Sequence, residues 1–114
     1  MNIKNAANFE IIGNVSETRI SEKFAKITTC SNVPYKDGGE WKSDPHWNQT
    51  TVFSDKLREI ARDLKKGDLV KIKGRMKNGS YMKNGQRVFT VDLIAYNVEL
   101  VSRKNPKTLH EEVA

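Results

Sequence analysis

WNQTTVFSDKLREIARDLKKGDLVKIKGRM, residues 47–76, decides how this chain folds. Its first seven residues read as a strand. Trp47, Gln49, Thr51 and Phe53 share one face, and Asn48, Thr50 and Val52 share the other. Ser54 comes next, a residue whose short side chain caps the free N–H groups that open a helix. Leu57, Ile60, Ala61 and Leu64 then recur at helical spacing, which predicts one apolar stripe on a helix running to about Lys66. Lys65 and Lys66 suit the negative helix end, and Gly67 stands where a left-handed cap is expected. From Leu69 the period returns to two. Leu69, Lys71, Lys73 and Arg75 lie on one face, with Val70, Ile72, Gly74 and Met76 on the other.

Strand signals continue on both sides of this stretch. Residues 9–15, FEIIGNV, open as a strand, with Gly13 a candidate bulge or close backbone approach. Residues 24–33, FAKITTCSNV, are rich in β-branched side chains and predict a second strand. Residues 34–40 carry Asp37-Gly38-Gly39 and read as a loop or hairpin tip. After Asn78-Gly79, residues 80–83 suggest a further short strand. Asn84-Gly85 is a strong two-residue hairpin signal. Residues 87–101 return as a long strand. The C-terminal residues beyond it are charged, include Pro106 and read as a loose tail. The expectation is an all-β domain over residues 1–102 and a short flexible tail over residues 103–114. Five or six strands with one helix between the third and fourth is the arrangement of a five-stranded oligonucleotide-binding (OB) barrel.

With 114 residues, the chain is long enough for one domain and too short for two ordinary ones. It has no apolar run near the roughly 20 residues that cross a bilayer. The opening MNIKNAANFE resembles neither a signal nor a transit peptide. A single cysteine, Cys30, excludes an internal disulfide framework. These features favour a cytoplasmic protein with no membrane partner. The net charge of +6 is unevenly placed. Residues 1–53 hold six basic and six acidic side chains, whereas residues 54–114 hold fourteen and eight. Between Lys65 and Arg87 there are eight basic residues and one acid, Asp68. Such a stripe points to a polyanion, although an ordinary solvated surface has the same look.

The aromatics decide between those readings. Phe9, Phe24 and Phe89 are expected in the core. Trp47 and Phe53 share a face with polar Gln49 and Thr51, which suits an accessible stacking surface better than a core. Tyr35 and Tyr81 lie beside expected loop tips, next to Lys36 and Lys83. Trp41, in EWKSD, fits either a stacking ring or a cover for the barrel. Lys71, Lys73 and Arg75 alternate along one strand face, as phosphate contacts or as lysines that discourage edge pairing. Asp37, Glu40 and Asp44 read as a solvated acidic loop. His46 and His110 have no partner at metal spacing, Cys30 has no CxxC companion, and no phosphate-cradling glycine motif is present. No cofactor, metal or catalytic constellation is expected.

From about Phe9 to Ser102 the chain resembles the bacterial-type single-stranded DNA-binding proteins, the family called SSB. Ile11-Ile12-Gly13-Asn14 is similar to the family's opening strand, and Pro45-His46-Trp47 through Val52-Phe53 to its tryptophan block. Lys56-Leu57 through Lys66-Gly67 matches its helix and turn, and Val70-Lys71-Ile72-Lys73-Gly74-Arg75-Met76 the strand after it. The Asn-Gly hairpin then leads into Phe89-Thr90-Val91-Asp92. Each motif is weak alone; their order and spacing together are specific. The resemblance implies single-stranded DNA as partner, bound without sequence specificity during replication, recombination or repair. Stacking is implied at Trp47 and Phe53, at Tyr81 in place of a hairpin tryptophan, and at Tyr35 near another. Phosphate contacts are expected from Lys71, Lys73, Arg75, Lys77, Lys83 and Arg87. A homo-oligomer, a tetramer as in the family, is also implied.

Three departures mark a short or divergent member. Asn48-Gln49 replaces the family's usual His-Arg, residues associated with subunit contacts and with DNA. The segment from Ser16 to Phe24 is shorter than usual. The sequence ends KNPKTLHEEVA, without the family's long linker and acidic tip, so recruitment of repair enzymes by that route is not expected. The alternative is an OB-fold accessory or replication-restart subunit that acts mainly through protein contacts.

Overall fold

Five strands and one helix make up the fold. They are β1 (Asn8–Ile20), β2 (Ala25–Asp37), β3 (Glu40–Val52), α1 (Asp55–Asp63), β4 (Leu69–Lys83) and β5 (Gln86–Ser102). The computed structural model describes residues 5–103. Neighbours run β1-β2-β3-β5-β4, and β4 returns to β1 to close the barrel. All pairs are antiparallel except β3 and β5, which meet in parallel at Thr51 and Ile94.

The alternation read from sequence sets the inside of the barrel. Ala25, Ile27, Val52, Val70 and Ile72 are fully enclosed, with Val15, Ala95 and Val98 beside them. Leu57, Ala61 and Leu64 bring the apolar stripe of α1 onto the same core, and Phe9 and Ile60 pack at its margin. Each buried valine, leucine or isoleucine side chain contributes about 1.5–3 kcal/mol by leaving water. Two glycines permit close crossings. A Cβ at Gly13 would meet the Cys30 carbonyl oxygen at 2.7 Å, so the close approach expected there is realised. A Cβ at Gly74 would lie 2.0 Å from the Ile94 carbonyl oxygen.

The helix starts as expected and ends sooner. Ser54 is its N-cap and accepts the Leu57 N–H at 3.2 Å. Rather than reaching Lys66, α1 stops at Asp63, and Leu64 leaves in an extended conformation. The reason is the buried carboxylate of Asp68, which accepts the Lys65 N–H at 2.8 Å and draws the chain into a turn. Gly67 does adopt a left-handed φ of 96°, but inside this turn, where its N–H reaches the Val15 carbonyl at 2.8 Å. Arg103 closes the same corner by donating to the Asp63 carbonyl at 3.0 Å and lying 3.5 Å from Asp68. The remainder of the expected tail, residues 104–114, lies outside the described residues.

One other expectation is corrected. Asn78-Gly79 does not interrupt the chain: residues 80–83 belong to β4, whose ladder with β5 runs unbroken from Gly74 to Lys83. Partners on the facing strand outweigh a local turn signal. Of the two readings of residues 34–40, a loop or a hairpin tip, the structure shows the hairpin tip. β2 and β3 stay paired to Asp37 and Glu40 around the turn Gly38-Gly39, which places Trp41 in a strand. Both hairpin turns have two residues at positive φ, Gly38 and Gly39 in one, Asn84 and Gly85 in the other. That geometry matches the twist of the flanking strands. The β2–β3 and β4–β5 hairpins therefore extend past the barrel as two-stranded arms.

Candidate nucleic-acid interface

One row of outward side chains ties the barrel to its arms. Lys26 pairs with Thr51, Thr51 with Ile94, and Ile94 with Arg75, so four strands present adjacent positions on one surface. Thr50 and Val52 point inward and are completely buried, which turns Trp47, Gln49, Thr51 and Phe53 outward, as their polar neighbours suggested. Trp47 is 59% exposed and Phe53 54%. Phe53 borders two shallow grooves. One runs past Phe24, Lys26, Lys77, Asp92 and Ile94, and the other past Ser54, Arg75, Ala95 and Tyr96.

On the β4–β5 arm the ladder separates two faces. Arg75, Lys77, Gly79, Tyr81 and Lys83 share a face with Ile94, Asp92, Thr90, Val88 and Gln86. This face continues the Phe53 surface, so Tyr81 and Lys83 join it with Arg75 and Lys77. Arg87 does not. It pairs with Met82 on the opposite face, beside exposed Met76, Phe89 and Val91. Phe89 was expected in the core and is instead 74% exposed, because the arm has left the barrel by that point. Phe24, also expected in the core, lines the Phe53 groove, with the Lys26 ammonium 5.9 Å from its ring centre.

The basic residues divide. Lys71 and Lys73 point outward on β4 but face β1, each with its ammonium 3.9 Å from a carboxylate oxygen of Glu10. Arg75 and Lys77, next along the same strand, reach the Phe53 grooves. On the β2–β3 arm, Tyr35 pairs with Lys42 on the ribbon face opposite Trp47. Trp41 pairs with Lys36 on the Trp47 side, 71% exposed, with the Lys36 ammonium 5.9 Å from its ring. Asp37 and Asp44 are engaged by Lys42 at 3.1 Å and His46 at 2.9 Å.

Sequence reasoning passed over Lys26, Asp92 and Tyr96. Lys26 and Asp92 lie near the site only through pairing between distant strands. Tyr96 is set by the irregularity in the β4–β5 register between Lys73 and Gly74, which no local pattern announces. Residues 8–11 of β1 have β4 on one side and no strand on the other among the described residues.

Together these features define a closed five-stranded OB barrel with exposed rings and basic side chains on one continuous surface. The pattern of the single-strand binding protein family matches residues 8–101, and the chain belongs to that family. It is 33% identical over 82 residues to a "Single-stranded DNA-binding protein 3" of Listeria innocua, an alignment covering 70% of this chain and 50% of that protein. It is 28% identical over 88 residues to the single-stranded DNA-binding protein of Aquifex aeolicus, covering 76% and 60%. The chain thus spans little more than half the length of these relatives. Among solved structures, the Plasmodium falciparum SSB in complex with ssDNA superposes with a TM-score of 0.73 at 21% identity, over 90% of this chain and all of that one. The mitochondrial protein Rim1 of Saccharomyces cerevisiae gives 0.70 at 19%, over 89% of this chain and all of that one. These likenesses establish the fold.

Proposed function

We propose that this protein binds single-stranded DNA without sequence specificity and covers it during replication, recombination or repair. The observation that carries this is the exposed face shared by Trp47, Phe53 and Tyr81 with Arg75 and Lys77. Rings turned to solvent between cations are poor core and good stacking platforms. A strand laid along this surface stacks bases on Trp47, Phe53 and Tyr81, while Arg75, Lys77 and Lys83 neutralise its phosphates. Tyr35 meets a strand that passes around the β2–β3 arm. Lys71, Lys73 and Arg87 add to the field from other faces. The protein acts by binding and not by catalysis.

It does so as a homo-oligomer, with a tetramer the form expected from the family. Two features support self-association: the one-sided β1 edge at residues 8–11, and the apolar arm face of Met76, Met82, Phe89 and Val91. Exposed apolar surface of this kind generally marks an interface. No helix among the described residues is long and apolar enough to cross a membrane. A cytoplasmic location is part of the proposal.

A fluorescence titration with oligo-dT of about 35 nucleotides, at low and high salt, tests the reading. Saturable quenching of tryptophan emission is expected. With about four phosphates neutralised per protomer, the log–log salt slope is expected near −3. Absence of quenching and of any binding at low salt would remove single-strand binding and leave the accessory, protein-contacting reading.

A further inference from the structure

Asp92 is an acid in the middle of the proposed binding surface. It shares an open groove of about 280 Å³ with Phe24, Lys26, Phe53 and Lys77. Its carboxylate leans across the ladder to β4, where a Cβ on Gly79 would lie 2.6 Å from Oδ2. The bare backbone at Gly79 makes room for it. Among the described residues Asp92 forms no ion pair, even with its cross-strand neighbour Lys77. The one hydrogen bond its side chain makes among the described residues is a long one, accepted from the Thr90 hydroxyl at 3.4 Å. Most of its acceptor capacity is therefore free, beside the groove that Asp92 helps to line.

A free carboxylate here works against a phosphate backbone. It does suit the edge of a base stacked on Phe53, because exposed bases are read by hydrogen bonds at their edges. An ionised carboxylate only accepts. Cytosine, adenine and guanine offer amino hydrogens. Thymine offers one ring N–H set between two carbonyl oxygens that the carboxylate repels.

We propose that Asp92 is a specificity-determining residue that favours amino-bearing bases over thymine in the Phe53 groove. This rests on the single-strand binding reading. Lys77, beside it, supplies the donor for a ring carbonyl or the neighbouring phosphate. The protein then binds DNA of any sequence but grades it by composition.

The test compares oligo-dC and oligo-dT of equal length, at one salt concentration and neutral pH, for the wild-type chain, Asp92→Asn and Asp92→Ala. The dC-to-dT affinity ratio is expected to fall about fivefold per protomer in both variants, the scale of one partly solvated charge-assisted hydrogen bond. A carboxylate that acts only by repelling phosphates would, when removed, strengthen both oligonucleotides equally. An unchanged ratio therefore overturns the inference while leaving single-strand binding intact. Failure of the wild-type chain to bind either oligonucleotide overturns the proposed function, and this inference with it.

Discussion

The barrel and its two arms are built from the same strands, yet they obey opposite rules. In the barrel, alternate residues of β2, β3 and β4 vanish from solvent: Ala25, Ile27 and Thr29; Thr50 and Val52; Val70, Ile72 and Gly74. Past Ser31 on β2, before Asn48 on β3 and beyond Gly74 on β4, no residue is buried on either face. The arms persist through backbone ladders, tight turns and cross-strand pairs, without a core of their own. Stability is concentrated in one part of each strand, and the surface offered to a ligand extends along the rest.

The largest effect separating the two regions belongs to the barrel. Ile72→Ala removes a fully enclosed side chain and is expected to cost about 2–5 kcal/mol. A fall in melting temperature of about 8 °C or more by circular dichroism is expected, since each kcal/mol shifts a domain of this size by about 4–8 °C. A fall of only a degree or two would mean that the barrel does not hold the stability.

Trp47→Ala probes the other side of the comparison. It is expected to weaken oligo-dT binding by about 1–3 kcal/mol, the range measured per stacked base, with melting unchanged. Loss of folding would place Trp47 in the core and break the distinction.

The smallest effect sharpens the division among the cations. Replacing Arg75 and Lys77 together by glutamine is expected to reduce the magnitude of the salt slope by about 1.4. Replacing Lys71 and Lys73, which share Glu10, is expected to change it less. Equal changes would mean that the β1–β4 face contacts DNA as fully as the Phe53 grooves.

Much of this division could be read from residue order. The Thr50/Val52 alternation set Trp47 and Phe53 outward, Ser54 fixed the start of α1, and Asn84-Gly85 fixed one arm tip. What escaped depended on partners distant in sequence. Asp68 ends the helix early through a turn anchored to β1 and Arg103. The ladder with β5 carries β4 straight through Asn78-Gly79. Phe89 resembles a core residue in its local pattern, and only its distance from the barrel along β5 exposes it. Likewise, nothing near Lys71 and Lys73 in sequence reveals Glu10, which reaches them across the β1–β4 pair.

The two-residue turns at Gly38-Gly39 and Asn84-Gly85 make arm length an adjustable dimension. Inserting one residue on each side of a tip would extend that arm by about 3.4 Å and keep the register nearer the barrel. Inserting a single residue would turn every side chain between the insertion and the tip over to the other face. Even-numbered growth at the tips is thus a route by which such a chain can change its reach along a nucleic-acid strand while its buried core stays the same.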